Sequence, residues 1–178
     1  MRRLGPQDAK SARAAHAELE ADGFPFLLVY SPGEPWTDYV ARLIDHEHGL
    51  NLPEGFVPHT FMVGVVDGTI VGRCSIRHKL NEALLERGGN IGYAVRPEFR
   101  RRGYASEMFR QALSISRGIG LERALVTTDG ANEPSWRIIE RNGGVLEPTG
   151  SGTEDSVRRY WVALNPSKRV LAEGQQAT

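Results

Sequence analysis

The residues best suited to chemistry are Arg100-Arg101-Arg102-Gly103-Tyr104-Ala105-Ser106, which follow the apolar run 91–95 and a break at Pro97. A loop that enters a helix in this way points several free backbone N–H groups in one direction. The helix dipole and the arginines then add positive charge at the same place. Gly103 has no Cβ to hold an anion off the backbone, Ala105 is also small, and Ser106 contributes a hydroxyl. Recognition of a phosphate or diphosphate is the chemistry this pattern predicts. The spacing is neither Gly-x-Gly-x-x-Gly nor Gly-Lys-Ser/Thr. The bland alternative is a solvated basic turn ahead of a surface helix.

Other residues add candidates. Asn132, followed by Pro134 in the first turn, reads as a helix N-cap. Candidate proton acceptors are His78 first, then Glu82 and Asp129. Tyr160 is a candidate proton donor. Cys74 sits mid-strand with no activating partner in view, so packing is its expected role. The five histidines and one cysteine show no metal-ligand spacing, and no metal is expected.

The bulk numbers narrow the class. Lys plus Arg and Asp plus Glu both number 22 in a chain of 178 residues, so no overall basic field draws it to nucleic acid. No aromatic platform interleaves the arginines either. No stretch approaches a membrane span, the N-terminus lacks the apolar core of a signal peptide, and disulfides are excluded by the single cysteine. A cytoplasmic protein with no membrane partner is expected. The chain reads as one domain over 1–165 with a polar tail over 166–178.

These residues need elements to position them. Helices are predicted over 6–21, 36–48, 104–119 and 132–141. Strands over 60–66 and 69–77 flank Asp67-Gly68, a preferred dipeptide of two-residue hairpin turns. Further strands are predicted over 90–96, 124–128, 145–147 and 157–164, with a short helical insertion at 80–86. The segment 24–30 is either a strand or a buried loop. The fold class is α/β (α+β): a mixed, mostly antiparallel central sheet with helices on both faces. The strand–helix–strand run 90–128 predicts one parallel pair.

The span 90–147 resembles the GNAT superfamily of acyl-CoA-dependent N-acetyltransferases. The resemblance rests on Val95-Arg96-Pro97-x-x-Arg100-x-x-Gly103-x-Ala105, and on Asn132-x-x-Ser135 followed by Ile138-Ile139-Glu140-Arg141-Asn142-Gly143. The segment Arg77-His78-Lys79-Leu80-Asn81-Glu82 and the closing Asn142-Gly143-Gly144 resemble a bacterial subgroup of predicted acetyltransferases. The resemblance implies that backbone groups of Tyr93 and Val95 pair with the pantetheine amides of acetyl-CoA. It also implies that the amides of Arg101, Arg102, Gly103, Tyr104, Ala105 and Ser106 hold the diphosphate, with Arg100 and its neighbours supplying charge. Asn132 would bond the pantetheine arm, and Ser135 would touch phosphate or pantetheine. Acetyl transfer to a primary amine of a small molecule or peptide, directly in a ternary complex, is the activity implied. Similar proteins often pair through their last strands, so a homodimer is an open expectation. Many members carry a tyrosine where this chain has Ile138 or Ile139, as the acid for the leaving thiolate. Its absence keeps a second expectation open, a non-catalytic acyl-CoA sensor of the same fold.

Overall fold

A two-residue turn starts the first sheet. Strands β1 (His59–Val66) and β2 (Thr69–Arg77) pair antiparallel around Asp67 and Gly68. Both turn residues take positive φ, +47° and +76°, matching the right-handed twist of the flanking strands. Helices α1 (Ala9–Ala21) and α2 (Trp36–Glu47) precede this hairpin and pack on one face of it. The computed structural model describes residues 1–148 and 157–165, so the expected tail at 166–178 lies outside the described residues.

A short helix α3 (Glu82–Glu86), capped by the Asn81 side chain, leads to β3 (Ile91–Val95), which pairs antiparallel with β2. Next come α4 (Tyr104–Gly118), β4 (Arg123–Asp129), α5 (Glu133–Arg141), β5 (Gly144–Leu146) and β6 (Val157–Ala163). The second sheet has the order β4-β6-β5, again antiparallel throughout. One apolar cluster joins Cys74, Ile76, Ile91, Phe109, Ala112, Val126, Ile139 and Tyr160 under α4 and α5. The other joins Ala12, Leu19, Phe26, Tyr39, Phe61 and Val63 under α1 and α2. Trp36, Tyr39 and Phe61 therefore pack a core, and residues 24–30 form a loop, not a strand, that buries Phe26 and Leu27.

The elements match the sequence reading closely, but the parallel pair expected over 90–128 does not form: every ladder among the described residues is antiparallel. The described strands form two three-stranded sheets, and β3 and β4 share no ladder. They meet at Asn90, whose backbone N–H donates to Leu125 O (2.7 Å) while its Oδ1 accepts from Leu125 N (2.9 Å). Its Nδ2 also donates to Arg77 O at 3.1 Å. A side-chain amide thus replaces a backbone rung where the sheet splits. Beyond it a cleft opens between β3 and β4. Asn90 is 2 % exposed, so Asn90→Ala strands a buried carbonyl and a buried amide. We expect it to lower unfolding stability by about 2–3 kcal/mol, read from a reduced urea midpoint at unchanged m-value.

Two buried histidines give the fold an acid limit. His46 on α2 and His59 on β1 lie with ring centroids 5.4 Å apart, and both His46 nitrogens and His59 Nε2 lack partners among the described residues. Burial pushes both pKa values below the ordinary 6.5. The unfolded chain therefore binds protons before the folded one does, and stability is lost as pH falls below 6.5 toward the folded values. His59→Gln should flatten that slope between pH 6.5 and 5 in thermal melts.

Candidate active site

The basic loop has the backbone of the expected anion cradle. Gly103 caps α4 in the left-handed region with φ +82°, and Arg101 takes φ +63°. The first helical bond in this turn runs from Glu107 N to Gly103 O. Among the described residues the amides from Arg101 to Ser106 therefore have no backbone acceptor. A Cβ built at Gly103 meets nothing within 4 Å, so within the chain it is the φ alone that favours glycine here.

Two ion pairs tie this loop to α1. Arg96 Nε bonds Glu18 at 2.6 Å, and Arg100 Nη2 bonds Asp22 at 2.7 Å. Arg100 Nε also donates to Val95 O. Arg100 is thus committed to holding the loop, whereas Arg101 and Arg102 are exposed beside the free amides.

From the loop, the cleft runs along the open edge of β3. Arg77 N bonds Asn90 O and Arg96 N bonds Val71 O, which fixes the phase of the β2–β3 ladder. By alternation, the N–H and C=O groups of Tyr93 and Val95 turn away from β2 toward the cleft. An extended amide-bearing chain can add to such an edge as a further strand. Val95 O is already occupied by Arg100, which leaves the Val95 amide and both groups of Tyr93.

Two adjoining cavities make up the cleft. The larger, about 500 Å³, is bordered by Asp22, Val95, Arg100, Ala105, Pro134 and Ile138. The smaller, about 290 Å³, is bordered by Arg73, Arg77, Arg87, Gly92, Thr127 and Asp129. Phe24, Tyr93, Asn132 and Ser135 border both. Where the two meet, Tyr93 Oη lies 2.9 Å from Ser135 Oγ. Burial pushes the Tyr93 phenol up to about 12, so it stays protonated at neutral pH. Asn132 Oδ1 accepts from Ser135 N at 3.2 Å, the N-cap role, while its side chain remains at the cleft wall.

The GNAT acetyltransferase domain family matches residues 1–145. The chain belongs to that family. Solved GNAT folds superpose over nearly its whole length. The ribosomal-protein-S5-alanine acetyltransferase of Vibrio fischeri is 18 % identical with TM-score 0.66, covering 94 % of this chain and 93 % of its own. RimJ of Mycobacterium smegmatis, solved with CoA-disulfide, is 18 % identical with TM-score 0.62, covering 91 % and 80 %. The putative acetyltransferase yncA of Salmonella typhimurium, solved with acetyl-CoA, is 11 % identical with TM-score 0.61, covering 93 % of each chain. No curated protein sequence matches the chain.

Within this GNAT domain several expected residues stand apart from the cleft. His78 borders neither cavity. Its Nε2 lies 2.9 Å from Thr60 Oγ1, which donates to Glu47, and Glu47 is held by Arg3. That network faces α2. We expect His78→Ala to keep turnover near wild type; a large loss in steady-state rate would return His78 to the site. Glu82 is exposed on α3, outside both cavity linings. Tyr160 is buried and its hydroxyl donates to Glu140 at 3.1 Å. Cys74 is buried, with its thiol pushed up to about 12 by burial, which excludes a thiolate nucleophile. Of the acid–base candidates only Asp129 reaches the cleft, paired with Arg87 at 2.5 Å.

Tyr93 was expected to contribute backbone alone, and the sequence signal for its hydroxyl was weak. Cys74 pairs with Tyr93 and faces the α4 cluster, so register directs the phenol toward α5 and Ser135. Among the described residues no group of three or more His, Cys, Asp or Glu side chains is arranged to hold a metal, and no helix is long and apolar enough to cross a membrane.

Proposed function

We propose that this protein is an N-acetyltransferase that moves acetyl from acetyl-CoA to a primary amine by direct transfer in a ternary complex. The carrying observation is the pair of cavities that share Tyr93, Asn132 and Ser135, with the anion cradle at the far end of the larger one. The diphosphate would sit on the amides of Arg101 to Ser106. The pantetheine arm would then run along β3, paired to Tyr93 and Val95 and flanked by Asn132 and Ser135. This route delivers the thioester to the junction, and the acceptor enters from the smaller cavity.

The amine nitrogen attacks the thioester carbon, the C–N bond forms and the C–S bond breaks. The ammonium proton leaves through Asp129 or water, and the sulfur departs as thiolate. An outward N–H of β3 polarises the carbonyl oxygen as negative charge grows on it. The Tyr93 hydroxyl, bridged to Ser135, donates to the departing sulfur in place of a helix tyrosine. Holding both reactants at one junction supplies most of the acceleration. A setting where acetyl-CoA is available, the cytoplasm, suits this reading.

The test is thiol release from acetyl-CoA across a panel of primary amines. Amine-dependent release is the expected result. Tight acetyl-CoA binding with no release on any amine would replace catalysis by sensing.

A further inference from the structure

The smaller cavity contains an unusual pair of cations. Arg73, in the middle of β2, is 3 % exposed, yet no carboxylate pairs with it among the described residues. One nitrogen donates to Pro25 O at 3.1 Å, while Nε and Nη1 have no partner among the described residues. Its guanidinium rests over the Phe24 ring at 4.4 Å. Strand alternation puts Ser75 and Arg77 on the same face. Ser75 Oγ is likewise buried without a partner. Among the described residues the Arg77 guanidinium makes one hydrogen bond, a long one, 3.4 Å to Gly88 O. Gly92 leaves room for it, since a Cβ there would stand 2.8 Å from Arg77 Nη1.

A buried, unpaired guanidinium is costly to fold, because desolvation goes uncompensated by an anion. Desolvation lowers the affinity of both groups for their protons, and each still carries its charge at neutral pH. The planar fork of arginine matches a carboxylate in bidentate fashion. Arg73 and Arg77 both border the smaller cavity, which shares Tyr93 with the larger one, itself bordered by Arg100 and Ala105. The phosphates of acetyl-CoA would lie in the larger cavity and so leave this pair free. Among the described residues, the only acidic side chain bordering the smaller cavity is Asp129, already bonded to Arg87.

We propose that the acceptor is a small amine that also bears a carboxylate, an amino-acid-like molecule whose carboxylate is held by Arg73 and Arg77 while its amine faces the junction at Tyr93. This rests on the acetyltransferase reading and deepens it. The cavity volume of about 290 Å³ lies near the small end of ligand sites, which favours such an acceptor over a bulky one. The transfer consumes acetyl-CoA and the ammonium form of the acceptor. It yields the N-acetyl amino acid, CoA thiol and one proton.

Two measurements test the proposal separately from the activity. The first compares kcat/KM for free amino acids with their carboxamides, which keep the amine and lose the charge. A preference of about a hundredfold for the acid is expected, and its collapse in Arg73→Met is expected with acetyl-CoA affinity retained. The second follows thermal stabilisation of the unliganded protein by amino acids, which needs no turnover. Wild type should be stabilised by acids and not by carboxamides, and Arg73→Met by neither. Arg77→Met supplies a second variant should Arg73→Met misfold. Equal use of acids, carboxamides and polyamines, or an unchanged preference in both folded variants, would overturn the proposal. Loss of all turnover with acid-specific, Arg73-dependent stabilisation intact would instead reject the acetyltransferase reading while retaining the carboxylate site.

Discussion

Replacing Gly103 with asparagine should weaken acetyl-CoA binding by a hundredfold or more and leave the protein folded. Gly103 holds φ +82°, a conformation that asparagine tolerates better than most residues with a Cβ. Nothing lies within 4 Å of the added Cβ, so the unliganded loop has room for the substitution. What changes is the outer surface of the cradle, where a side chain now stands between the amides and the diphosphate. Losing two charge-assisted hydrogen bonds costs roughly 3–6 kcal/mol, or about a hundred- to ten-thousandfold in affinity. Gly103→Val should lose the same affinity, and about 1–2 kcal/mol of stability besides, because a β-branched residue is strained at that φ. Calorimetric titration with acetyl-CoA decides the matter. Wild-type affinity in folded Gly103→Asn would remove the diphosphate from this loop.

The second large effect belongs to Tyr93→Phe. The ring packs against Phe109 with centroids 5.5 Å apart, and phenylalanine keeps that contact. Only the hydroxyl bonded to Ser135 is lost. General acid assistance is worth about a hundredfold or more, so kcat should fall by about that factor at little change in KM for acetyl-CoA. Wild-type rate should rise with pH as the amine acceptor loses its proton. With its pKa near 12, Tyr93 imposes no falling limb below about pH 10. Acetyl thioester donors with less basic thiol leaving groups should be less sensitive to the substitution, because their thiolates need less proton donation. A kcat within twofold of wild type on acetyl-CoA would show Tyr93 to be a packing residue.

How far the chain could be read without coordinates depended on how local the signal was. Asp67-Gly68 called its own hairpin, since a two-residue turn is a matter of two φ angles. The basic loop likewise announced a helix N-terminus. Nonlocal facts were hidden. Asn90 looked like an ordinary strand residue, and its role at the split depends on Leu125, 35 positions away. His78 had a suitable side chain at a suitable place in the order of elements, but its strand face turned it to Thr60 and Glu47. Arg100 carried the motif and was spent on Asp22.

The sequence by itself determined the elements, the hairpin turn, the anion cradle and the family resemblance. Each is encoded in short spacings acted on by backbone sterics and hydrogen bonding over a few residues. Only the tertiary structure decided which side chains share the cleft: the Tyr93 hydroxyl with Ser135, Asp129 with Arg87, and the unpaired Arg73 with Arg77. Ladder register sets which way each strand residue faces, and the divergence of two sheets past Asn90 sets what it faces. Whether a buried charge has a partner follows from both, and neither is written in any stretch of neighbouring residues.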